Sequence, residues 1–158
     1  MDSLPISPLR VPLKNDDLQQ MLALLRLSWK LQNSPTYQQL IAAELPESAR
    51  FVPGNAGVMM GYDFHLTEDG PRLIEINTNA GGAALALRAC QGEPLLTPSL
   101  QRRLKMMFER EWFDFSGAAK PLRTMVILDE NPLQQALYPE MRRFVDWLEA
   151  IGIEVHIA

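Results

Sequence analysis

Cysteine is nearly absent. Cys90 is the only one in 158 residues, which excludes an intrachain disulfide framework. It adjoins the stretch from Ala83 to Ala89, apolar but for Arg88, and reads as a small core residue rather than a nucleophile. Histidine is almost as scarce, with His65 and His156 only, so no His/Cys cluster of the kind zinc needs is available. His156, between Val155 and Ile157, carries no signal, and His65 reads as a surface strand residue. Basic residues are neither numerous nor bunched, and the net charge of −4 argues against a nucleic-acid surface. No apolar run reaches membrane-spanning length. Met1-Asp2-Ser3-Leu4-Pro5 lacks the charged start and apolar core of a signal peptide, so a cytoplasmic protein is expected. No internal repeat or low-complexity segment is visible.

What is present is an ordinary globular composition, 47% hydrophobic and 22% charged, long enough for one domain or one plus a part. The most informative stretch runs from Gly57 to Gly82. Val58, Met60, Tyr62, Phe64 and Leu66 alternate with other residues at a period of two, the mark of a strand. Thr67-Glu68-Asp69-Gly70 is a turn cluster, and Arg72 to Asn77 forms a second strand. The apolar faces coincide if Phe64 shares a face with Ile74 and Ile76. A three-residue loop, Glu68-Asp69-Gly70, with Gly70 in the left-handed conformation, gives that parity. It sets Asp63 opposite Glu75 and Gly61 opposite Asn77. Glu75 and Asn77 then share a face, about 7 Å apart.

Two carboxylates facing each other on a sheet repel unless a cation lies between them. Oxygen ligands from Asp, Glu and Asn suit Mg²⁺, which is typically held by one or two carboxylates plus substrate phosphates. Past Asn77, the chain runs through Thr78-Asn79-Ala80-Gly81-Gly82 into an expected helix from Ala83, where backbone N–H groups would face an anion. A metal site beside an anion cradle points to phosphoryl transfer. The same residues also fit a hairpin with a solvated acidic face and an ordinary exit loop.

Asp63, the run Leu73-Ile74-Glu75-Ile76-Asn77-Thr78 and the Gly81-Gly82 pair resemble the metal-binding strands of ATP-grasp enzymes. These ligases join a carboxylate to an amine through an acyl-phosphate. The resemblance covers about 30 residues and is nearest to the circularly permuted branch, which includes eukaryotic-type glutathione synthetase and glutathionylspermidine synthase. It implies ATP and Mg²⁺ as cofactors. Asp63, Glu75 and Asn77 would be metal ligands, with Glu75 and Asn77 the catalytic pair. Gly81 and Gly82 would offer N–H groups to a phosphate, and Thr78 and Asn79 would sit by the substrate. The implied partners are a small carboxylate and an amine, peptides and polyamines among them, with no nucleic acid or membrane and with a homo-oligomer allowed. One departure stands out: many family members carry Arg two residues before the Asp, where this chain has Gly61.

The rest of the chain supplies the frame. Residues 1–14, with Pro5, Pro8 and Pro12, read as an extended arm. Asn15 or Asp16 caps a well-buried helix carrying Leu18, Met21, Leu22, Leu25 and Trp29, and Ser34-Pro35 opens a short one reaching Ala43 or Glu44. Gly92-Glu93-Pro94 ends the helix begun after Gly82. Thr97-Pro98 starts another helix, with Leu100, Leu104, Met107 and Phe108 on one face. After the Ser116–Pro121 linker, Thr124 to Leu128 reads as a strand buried on both faces. A helical segment follows with Leu133, Leu137, Met141, Phe144, Val145 and Leu148, kinked or restarted at Pro139, and then a strand from Ile153 to Ile157. The expected class is therefore α+β, turning α/β at the C-terminal end. Residues 1–118 would be a partial ATP-grasp domain with helices packed on an antiparallel hairpin, and residues 119–158 the start of an incomplete βαβ domain. With lysines only at 14, 30, 105 and 120, none in a nucleotide-binding context, the chain alone is expected to be the inactive front part of a longer ligase. A non-catalytic nucleotide- or metal-binding module, or a protein-interaction module, is the alternative.

Overall fold

The structure, a computed structural model, describes residues 7, 9–78, 80–86, 97–117 and 120–158. The expected helix end at Gly92-Glu93-Pro94, the environment of Cys90 and most of the N-terminal arm lie outside them. Mixed helix and strand with an antiparallel hairpin make the chain α+β. It divides into two compact units, each described by itself. One, the hairpin unit, comprises Arg10–Pro53 and Tyr62–Asn77; the other, the α/β unit, comprises Met1–Leu9, Gly54–Gly61 and Thr78–Ala158. Residues on both sides of position 118 fall in the α/β unit.

In the hairpin unit, α1 spans Asn15–Gln32 and starts one residue earlier than expected. Its N-cap is Lys14, which gives no side-chain cap bond; Asp16 and Asp17 in the first turn face the positive end of the helix dipole instead. Met21, Leu22, Leu24 and Leu25 are half-buried, but no α1 residue is buried. The expectation of a well-buried helix fails at its C-terminal half, where Leu27, Trp29 and Leu31 are exposed. α2, Pro35–Ile41, is set by Ser34, whose Oγ accepts from the Tyr37 N–H at 3.5 Å, and by Pro35 in the first turn. Strands β1, Gly61–Thr67, and β2, Gly70–Asn77, form a two-stranded sheet, and α1 packs along β2.

The loop has the conformation that three residues require. Among the described residues φ is positive at Gly70 (104°) and at neither Glu68 nor Asp69. Two-residue loops of the primed types need positive φ at the first loop position, whereas a type I turn closed by a left-handed glycine does not. The Thr67 Oγ1 hydroxyl donates to the Gly70 carbonyl at 2.7 Å and ties the loop shut. A side chain at Gly70 would be strained, and its Cβ would also lie 2.7 Å from Gln20 Oε1, the movable end of a side chain. Gly70→Ala is expected to cost about 1–2 kcal/mol, mostly through the backbone. Gly70→Asn should recover part of that loss in urea unfolding, since Asn tolerates left-handed φ.

The expectation that Phe64, Ile74 and Ile76 form one buried apolar face is corrected. Ile74 and Ile76 are 66% and 43% exposed, while Pro71 and Leu73, on the alternate positions, are half-buried. Burial on β2 follows Leu73, and the face with Ile74 and Ile76 is open.

In the α/β unit, α3 spans Pro98–Ser116. Thr97 Oγ1 caps it by accepting from Leu100 N–H, and Gly117 at φ 67° ends it. β3, Thr124–Ile127, pairs in parallel with β4, Glu154–Ile157, in the register Met125↔Val155 and Ile127↔Ile157. α4, Tyr138–Ala150, makes the crossover, with Pro139 in its first turn, so the proline restarts a helix rather than kinking one. Met125 and Ile127 pack against the core, whereas Val126 and Leu128 are 57% and 80% exposed. The expected burial of this strand on both faces therefore holds on one face only. The core joins Leu104 and Phe108 of α3, Phe144, Val145, Trp147 and Leu148 of α4, Ile153, Val155, and Ala84 and Leu85. No helix among the described residues is long and apolar enough to cross a membrane.

Candidate functional site

β1 carries Asp63 and β2 carries Glu75 and Asn77, all in the hairpin unit. Period-two alternation puts Leu73, Glu75 and Asn77 on one face of β2. Both carboxylates are exposed, and neither has an ion pair or side-chain hydrogen bond with any described residue. Asn77 is half-buried. An unpaired acidic couple beside an amide oxygen is the donor set of a hard divalent cation that keeps part of its water. It is not a complete protein cage: among the described residues no three His, Cys, Asp or Glu side chains group to hold a metal.

Thr78, Gly81 and Gly82 belong to the α/β unit, and Asn79 lies outside the described residues. Thr78 is exposed. Ala80 N–H donates to the Met59 carbonyl, a backbone bond that fixes where the loop turns. Gly82 needs its glycine, with φ 92°, and residues 83–86 follow as helix. At Gly81 a Cβ would lie 2.6 Å from Leu137 Cδ1, so α4 and the loop approach closely there.

The loop's N–H groups do meet an anion, but it is the chain's own. Glu140 of α4 accepts from Gly82 N–H at Oε2 and from Ala84 N–H at Oε1, the latter at 2.7 Å. Glu140 is 3% exposed, the one buried charged side chain among the described residues. Two charge-assisted bonds offset part of the cost of taking a carboxylate out of water. Sequence reasoning passed over Glu140. The signal was its place on the apolar stripe of α4, three residues after Leu137 and four before Phe144, where a solvated carboxylate does not belong. A second carboxylate plays a similar part nearby: Glu111 Oε2 accepts from Asn55 Nδ2 at 2.6 Å and from Gly57 N–H at 2.8 Å, pinning the 55–57 segment to α3.

Compared with protein-family models, with curated proteins and with solved structures, the chain gives no match.

Proposed function

We propose that the chain is part of an ATP- and Mg²⁺-dependent carboxylate–amine ligase of the ATP-grasp kind, with the metal on the hairpin. The observation that supports this is the hairpin itself, which carries two exposed, unpaired carboxylates, Asp63 on β1 and Glu75 on β2, with Asn77 two residues further along β2. Such a pair repels in isolation and becomes favourable around a divalent ion. Asp63, Glu75 and Asn77 would hold the ion. Bound there, magnesium would clamp nucleotide phosphates and offset the charge that develops during transfer. Gly82 would serve by fixing the loop in its left-handed turn, held from behind by Glu140. Thr78 and Asn79, with the N–H of Gly81, are the residues proposed for substrate contact.

The test is a Mg²⁺ titration followed by amide NMR. Shifts should concentrate at Asp63, Glu75 and Asn77 and vanish in the Asp63→Asn/Glu75→Gln variant. Shifts of equal size in that variant, or none in the parent chain, would remove the metal from the hairpin.

A protein-interaction module is the second reading, favoured by apolar side chains left in solvent. Met106, Phe113 and Phe115 of α3 are 70%, 51% and 66% exposed. Sedimentation giving a stable dimer with no Mg²⁺ response would favour it over the ligase.

A further inference from the structure

Along β3 and past its carboxyl end, the α/β unit holds a half-open cavity of about 410 Å³. That volume lies within the range of small-molecule sites, and the carboxyl ends of parallel strands are where such sites form. Its walls are apolar and adaptable, with Met59, Met125, Phe108 and Phe144 among them. Among the described residues only two charged ones line it, Asp129 and Glu140, both acidic.

Glu140 decides what the cavity can take. Its carboxylate is buried and has no ion pair with any described residue. Each of its oxygens accepts one backbone N–H, whereas a carboxylate oxygen has room for two hydrogen bonds. Neutral donors stabilise the buried charge without neutralising it. From the cavity side, a cation with its own N–H groups would supply the missing charge and fill the spare acceptor sites together.

We infer that this cavity binds an organic amine: a primary ammonium directed at Glu140, joined to an apolar body that fills the space between the methionines and phenylalanines. All of these residues belong to the α/β unit, so the inference does not rest on the hairpin metal.

Calorimetry on the full chain with three probes of one shape tests it: 2-phenylethylamine, 2-phenylethanol and 3-phenylpropanoate. The amine should bind roughly tenfold or more tightly than the alcohol, the ratio a charged hydrogen bond supplies, and the anion should not bind. Glu140→Gln should bring amine and alcohol to parity. Equal affinity for amine and alcohol in the parent chain would overturn the inference. So would no amine binding at millimolar concentration.

Discussion

Glu140→Ala should destabilise the α/β unit by roughly 2–5 kcal/mol, because it leaves two backbone donors without an acceptor. Those donors are the N–H groups of Gly82 and Ala84, and Ala84 is fully buried, so water cannot readily replace the carboxylate. Glu140→Gln separates this loss from the packing of the side chain. It keeps the shape and one acceptor oxygen but turns an amide NH₂ toward the other N–H. About 1–2 kcal/mol is expected, one unsatisfied donor instead of two. Urea unfolding of both variants checks the order. If alanine and glutamine cost the same small amount, the two hydrogen bonds do not hold the loop.

Leu148→Ala is the second large effect. Leu148 is 1% exposed, the most deeply buried large side chain among the described residues, and packs in the cluster that joins α3, α4 and β4. Removing its branched end loses transfer free energy and leaves a void, at a cost of roughly 2–5 kcal/mol. The Ile153 N–H donates to the Leu148 carbonyl, so the residue also sits where the helix hands over to β4. Denaturant midpoints give the value directly. A loss below about 1 kcal/mol would mean that the cluster collapses around the smaller side chain and is not close-packed.

The parts of this fold that could be read in advance are those set by local chemistry. The left-handed glycine at 70, the cap at Ser34 and the proline start of α3 each follow from residues within a few positions of one another. The βαβ unit was legible because an apolar run, an amphipathic helix and Gly152 come in the order that a parallel crossover needs. Burial was harder. Ile74 and Ile76 look like core residues from their chemistry, yet they are exposed while Pro71 and Leu73 are half-buried. Which side a helix covers is a tertiary choice, and an alternating strand of apolar residues on both faces does not specify it. The same ambiguity hid the exposure of Val126.

For the candidate site, the residue types at 63, 75 and 77 were visible, and the structure carries Asp63 on β1 and Glu75 and Asn77 on β2. Glu140 was missed because its partners lie 58 and 56 residues away in sequence. A pairing over that distance leaves no trace in spacing, only the oddity of a carboxylate on an apolar stripe. Its presence changes the chemistry expected of the loop: the Gly82 N–H already serves a structural carboxylate, so in the proposed ligase a nucleotide's charge would have to be met chiefly by the metal.

The most direct measurement is calorimetric titration of the chain with Mg·ADP, beside the Asp63→Asn/Glu75→Gln variant and a magnesium-free control. The account predicts weak binding that needs the metal and is lost in the variant. Binding that persists without magnesium or in the variant, or no binding by the parent chain, would contradict a nucleotide-linked metal site on the hairpin.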